Sequence, residues 1–354
     1  CRVLIIIIDH RIDRPIGIMS RSTFVRRVGI ATIGLPPLLI FPAAAIYREN
    51  HRPKLPQHYT LQDMTRKTII ATGASSGIGQ ATVEKLKSLG ATVVSGSRTE
   101  GNLDLSDLSS VKSFVRTTMN KIIINDDNNN DDDYIILACA AEICNMDKKR
   151  EEEEEEKNLS VDGFDKSFAT NHIGLQAMLM EIEKLNSKKP AMVVIVGSKL
   201  ERNGLVDPEI MLKHRGKKLN DRPDEEYTAV KHYSDTKLCN QMLSTALLER
   251  WPETKVFSVS PGMVDTGLWR NFPNWFQILT WPIRKVALRT PEDAALGVVY
   301  ACASEEAGKE KSGTFFVDGT VEESSEKSRD VDKARRLWEV VDNLIRDRQK
   351  NTVK

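Results

Sequence analysis

The stretch Glu225–Asn240, EEYTAVKHYSDTKLCN, carries the spacing Tyr-x-x-x-Lys twice, as Tyr227 with Lys231 and as Tyr233 with Lys237. Residues four apart share a helix face, so either pair would set a phenol beside an ammonium. A free phenol titrates near pH ~10, too high for an efficient base at neutral pH. A cation one turn away favours the phenolate, which makes such a pair a candidate proton donor and acceptor. The two tyrosines are six residues apart, about 240° around a helix, so both cannot face one reacting centre. Downstream of Lys237, the residues Leu238, Met242, Leu243, Ala246 and Leu247 form a helix face that can bury against a sheet. Upstream, NDRPDEE reads as a loop, which puts Tyr227 near the start of any helix.

A second constellation is TGASSGIG, Thr72 to Gly79, with glycines at Gly73, Gly77 and Gly79. It lies between an apolar run, KTIIAT, and a helical pattern that runs through Leu89 to Gly90. Such a turn lets backbone approach a pyrophosphate, and the following helix points its amide end at the phosphates. Gly73, Ser75, Ser76, Gly77, Ile78 and Gly79 are therefore candidate cofactor contacts. The next strand, ATVVSGS, ends at Arg98 with no acid at its tip, although Glu100 is close. Arginine matches a phosphate by bidentate hydrogen bonds, which points to NADP(H) and its 2′-phosphate over NAD(H).

These groups need a scaffold. Further strand candidates are YIILA (134–138), MVVIVG (192–197), KVFSVS (255–260) and GTFFV (313–317), with helical stretches between them. The alternation predicts an α/β fold, a doubly wound parallel sheet of Rossmann type in a single domain. The expected domain spans 65–320, after an N-terminal region 1–64 and before a C-terminal helical extension 321–354. Polar tracts near 125–133 (NDDNNNDDD) and 148–157 (KKREEEEEEK) read as solvated loop insertions. Residues 28–47 are uncharged and twenty long, enough to span a hydrocarbon core. An uncleaved membrane anchor, a cleaved targeting segment and a buried helix are the competing readings, and Ala43-Ala44-Ala45 would suit a signal peptidase. The chain starts at Cys1, with Met19 as an alternative start.

With 51 basic and 50 acidic residues and no basic stripe, nucleic-acid binding is not expected. Five cysteines without framework spacing suit a reducing compartment or inert buried thiols, and no metal site is expected.

At this point the sequence resembles the short-chain dehydrogenase/reductase family, in its retinol dehydrogenase-like branch. The likeness runs from about residue 65 to 346 through TGASSGIG, LDLSDLSSVKSF (103–114), TNHIG (170–174), VVIVGS, YSDTKLCN, SPGMVDTG (260–267) and KARRLWEVVDNLI (333–345). The resemblance implies that Ser198, Tyr233, Lys237 and Asn171 are the catalytic set. It implies cofactor contacts at Asp104, Leu105, Ala140, Tyr233, Lys237, Pro261, Gly262, Val264 and Thr266. LDL would form the family's third strand. Pro261 lies 28 residues after Tyr233 and 34 after Tyr227; the family's spacing favours Tyr233. Two departures stand out. ACAA (138–141) puts Cys139 where the family has an asparagine, and only TEGN separates Arg98 from Leu103, where the branch has a helix.

Trp269, Phe272, Trp275, Phe276 and Trp281 fall where the family has its substrate lid. With the N-terminal segment they suggest a lipophilic carbonyl or alcohol of retinoid, steroid or long-chain aldehyde type. They also suggest membrane association, at the endoplasmic reticulum or alternatively in a plastid or other organelle. A homodimer is left open. Two other readings stand: a light-dependent protochlorophyllide reductase-like enzyme, in which Met263 replaces that family's cysteine, and a non-catalytic NADPH-binding scaffold.

Overall fold

The computed structural model describes residues 55–56, 58–126, 134–138, 158–185, 189–221, 228–265, 281 and 286–351. The segment 28–47, the tract 148–157 and most of the tract 125–133 lie outside the described residues. No helix among the described residues is long and apolar enough to cross a membrane.

A seven-stranded sheet forms the centre, in the order β2-β1-β3-β4-β5-β6-β7. The strands are β1 Thr68–Thr72, β2 Thr92–Gly96, β3 Tyr134–Ala138, β4 Met192–Val196, β5 Lys255–Ser260, β6 Phe315–Val317 and β7 Thr320–Glu322. The pairs from β2 through β6 are parallel, and β7 closes the edge as an antiparallel hairpin with β6. The strands alternate between two buried faces, as a sheet covered on both sides requires. Ile70, Val193, Ile195 and Val256 face one core; Ile69, Ala71, Val194, Val196, Phe257 and Val259 face the other.

Among the described residues the longer helices of the covering layers are α1 Gly77–Ser88, α2 Leu108–Asp126, α3 Gly174–Lys184, α4 Ala229–Arg250, α5 Pro291–Ala303 and α6 Val331–Asn351. Residues of α1 and α5 line one core, and residues of α2, α3, α4 and α6 the other. The doubly wound arrangement expected from the alternation is therefore present. Helix α6 is built into that core through Leu337, Trp338, Val340, Val341, Leu344 and Ile345.

The expected third strand at Leu103–Leu105 does not form. After β2 the chain turns back at once: Ser97 N–H donates to Glu100 O at 2.6 Å and Leu103 N–H to Ser97 O at 2.9 Å. Gly101 and Asn102 take positive φ, 76° and 52°, to make this turn. Four residues cannot hold the crossover that a further parallel strand needs. Strand β2 therefore remains the sheet edge.

Candidate active site

Helix α4 carries the Tyr233–Lys237 pair. Thr228 caps its start, accepting a hydrogen bond from Lys231 N–H. Tyr227 lies outside the described residues. Tyr233 is 8% exposed and Lys237 0%. The Lys237 ammonium sits 5.4 Å from the centre of the Tyr233 ring and donates to Val196 O at the end of β4, 2.9 Å away. A lysine this deeply buried is costly unless its charge is met by oxygen partners or a neighbouring π face.

Asn171 lies in a π-helical turn, Ala169–Ile173, which leads into α3. Wide turns of this kind concentrate at functional sites because they displace a ladder hydrogen bond. Asn171 Nδ2 donates to Thr236 Oγ1 at 3.2 Å, placing this side chain against α4 one residue before Lys237. Two more links run along the same seam. His232 Nε2 meets Asp165 Oδ1 at 2.8 Å, and His172 Nδ1 meets Asn240 Oδ1 at 3.0 Å. The α4 members, His232, Thr236 and Asn240, are four apart and so share a helix face. Burial pushes the His172 imidazole down to about 4, opposed by its bond to Asn240.

Ser198 follows β4 in extended backbone and caps a 3₁₀ turn, Lys199–Asn203. Its Oγ accepts from Leu200 N–H at 3.2 Å. The predicted Ser198, Tyr233, Lys237 and Asn171 thus come from β4, α4 and the entry to α3, and direct links tie those elements together.

The glycine turn leaves β1 with φ of 64° at Gly73 and 56° at Gly77, backbone that a side chain disfavours. Gly73 N–H donates to Gly96 O at 3.0 Å, which binds the turn to the end of β2. Ser75, Ser76, Ile78 and Gly79 complete the turn and the first residues of α1. Ser76 caps α1 with no side-chain hydrogen bond, so its hydroxyl does not compete for the first-turn amides. A diphosphate group fits this arrangement. Arg98 is exposed at the β2 tip. Asp104 accepts from the N–H and hydroxyl of Ser106, at 2.9 and 2.7 Å, and is half-buried. Leu105 is buried, and its carbonyl lies so close to Gly174 that a Cβ there would strike it.

Beyond β5, Gly262 takes φ of 77° beneath the guanidinium of Arg289. Arg289 Nη1 donates to Pro261 O at 2.7 Å and pairs with Asp318 Oδ1 at 2.6 Å. Val264 pairs with Arg289 in a short parallel bridge. Ala140, Thr266, Cys139, Trp269, Phe272, Trp275 and Phe276 lie outside the described residues; Trp281 is described and 56% exposed. Cys239 and Cys302 are buried thiols whose burial raises their pKa, that of Cys302 to about 12. Among the described residues no cluster suits a metal ion.

Sequence reasoning missed Asp165, His232, Asp235, Asn240 and Arg289. A signal existed for Asp235: a carboxylate whose helix face runs on into Leu238, Cys239 and Met242.

No protein-family model matches the chain. Mouse retinol dehydrogenase 14 is 28% identical over 329 residues, 80% of this chain and 86% of that protein. Human dehydrogenase/reductase SDR family member 13 is 29% identical over 324 residues, 82% and 76% of the two chains. The chloroplastic protochlorophyllide reductase of Marchantia paleacea is 28% identical over 339 residues, 79% and 68% of the two chains. An uncharacterised protein from Mycobacterium paratuberculosis, solved by crystallography, superposes with a TM-score of 0.57 at 22% identity, covering 81% of this chain and 96% of its own. The chain resembles the short-chain dehydrogenases/reductases, retinol dehydrogenase-like members included. Its relatives indicate an oxidoreductase of that kind. The likeness to the solved structure speaks to the fold alone.

Proposed function

We propose that this short-chain dehydrogenase/reductase relative interconverts a carbonyl and an alcohol on a lipophilic substrate, with NADP(H) as its cofactor. The observation that carries the reading is the buried Lys237 ammonium held 5.4 Å from the Tyr233 ring, at the end of the strand that leads to Ser198. Tyr233 gives a proton to the carbonyl oxygen in reduction and takes it from the alcohol in oxidation. Lys237 supplies positive charge beside the phenol and orients the nicotinamide ribose. Ser198 hydrogen-bonds the substrate oxygen as charge develops on it. Asn171 positions a water that relays protons toward Lys237. NADP(H), when bound, supplies or accepts the hydride.

Gly73, Ser75, Ser76, Gly77, Ile78 and Gly79 would hold the diphosphate. Arg98 would pair with the 2′-phosphate, Asp104 and Leu105 would contact the adenine, and Ala140, Pro261, Gly262, Val264 and Thr266 would complete the groove. Support for a lipophilic substrate comes from the aromatic window Trp269, Phe272, Trp275, Phe276 and Trp281 in the sequence, and from the exposure of Met263 and Trp281 at its two ends. The N-terminal segment 28–47 is offered as a membrane anchor.

The test is a panel of retinoid, steroid and long-chain aldehydes and alcohols, run with NADPH and with NADH. Turnover of a lipophilic member with preference for NADPH is expected. Binding of NADPH without turnover of any member would favour the scaffold reading and overturn this one.

A further inference from the structure

Asp235 stands between Tyr233 and Lys237 and is 0% exposed. Its carboxylate reaches away from its own helix. Oδ1 accepts from Leu205 N–H at 2.7 Å, and Oδ2 accepts from Asn220 Nδ2 at 2.8 Å. Asn220 Nδ2 also donates to Leu205 O at 2.7 Å, so Leu205 is gripped at both its N–H and its carbonyl.

Leu205 ends the segment that begins at Ser198. Between them lies the 3₁₀ turn Lys199–Asn203, capped by Ser198 at one end and Gly204 at the other. Its internal bonds are close: Glu201 N–H to Ser198 O and Gly204 N–H to Glu201 O, both 3.0 Å. Gly204 packs so tightly on α4 that a Cβ there would lie 2.6 Å from both Ser234 O and Leu238 Cβ. On the other side of Ser198, Val196 O receives Lys237 Nζ at 2.9 Å. The segment bearing Ser198 is thus fastened to one helix before and after the serine, by Lys237 and by Asp235. Charge-assisted bonds to a buried carboxylate are the stronger kind and resist displacement.

We infer that Asp235 is a positioning residue, which fixes the Ser198 turn against the Tyr233–Lys237 helix and so sets the two hydroxyls to converge on one substrate oxygen. The inference rests on the proposed roles of Ser198 and Tyr233. A short turn clamped at both ends cannot drift, and small misplacements of reacting groups are costly.

The test compares Asp235→Asn, Ser198→Ala and the double variant, with Asn220→Ala as a milder route to the same loss. In Asp235→Asn an NH₂ group opposes Asn220 Nδ2, donor against donor. Amide hydrogen exchange is expected to speed by about tenfold or more over residues 199–205, with β4 and β5 unchanged. With all-trans-retinal or decanal as carbonyl probe, kcat/KM should fall by about 10- to 100-fold, with NADPH affinity held. In the Ser198→Ala background the same change should cost almost nothing further, because both act through one group. Unaltered exchange over 199–205, or a full additional loss on top of Ser198→Ala, overturns the inference. Full activity of Ser198→Ala instead sinks the proposed role of Ser198, while the exchange measurement still reports whether Asp235 holds the turn.

Discussion

The seam between α4 and the entry to α3 is buried along its length, whereas the turn at the end of β2 lies in solvent. In the seam, Asn171, His172, His232, Thr236 and Asn240 are all buried, and His232, Thr236 and Asn240 each hold a partner across it. At the β2 edge, Arg98 is exposed on a tight turn where the expected third strand is missing. Both regions are proposed to serve one cofactor, yet they are built for different tasks. Proton transfer depends on distances of tenths of an ångström, so its groups are locked by packing and shared hydrogen bonds. Recognition of a phosphate by a guanidinium depends on charge and a flexible reach, which an exposed turn supplies. The seam should therefore be intolerant of small changes, and the edge forgiving.

The largest effect is expected inside the seam. Tyr233→Phe removes one hydroxyl and leaves the ring in place. Turnover should drop by about 10²- to 10⁴-fold while NADPH titration gives a nearly unchanged affinity. A variant with wild-type kcat would end the assignment and, with it, the contrast between the two regions.

Next comes a stability effect from the same seam. His172 is held neutral, its pKa lowered from 6.5 to about 4. The unfolded chain gains a proton near pH 6.5, and the folded chain resists it down to about 4. Stability present above pH 6.5 is therefore lost progressively as pH falls through this window, on the order of 3 kcal/mol in all. Urea unfolding at successive pH values should show that slope, and His172→Gln should flatten it. Equal slopes in both proteins would mean that the seam does not hold this imidazole uncharged.

The smallest effect belongs to the edge. Arg98→Ala should weaken NADPH relative to NADH by about tenfold, near 1.4 kcal/mol, with the melting temperature unmoved. If the melting temperature fell as well, the edge would be structural and the contrast with the seam would blur.

Much of this protein was legible before any tertiary structure. Short, nearly continuous apolar runs marked β1 to β6, because a strand buried on both faces must be apolar nearly throughout. Gly73 and Gly77 announced a turn that only residues without side chains make easily, and Tyr233 with Lys237 announced a shared helix face. What the sequence could not decide were contacts between segments distant in the chain. Nothing local to Asp235 says that its partners are Leu205 and Asn220, thirty and fifteen residues away. Nor does the spacing of TNHIG reveal that His172 meets Asn240, sixty-eight residues on. The absent third strand was foreshadowed only by the brevity of TEGN, and chain folding decided it. Local periodicity and backbone sterics act over a few residues and are written in order along the chain. Partners of buried polar groups are chosen only when the layers close, since burial is what makes an unpaired group costly.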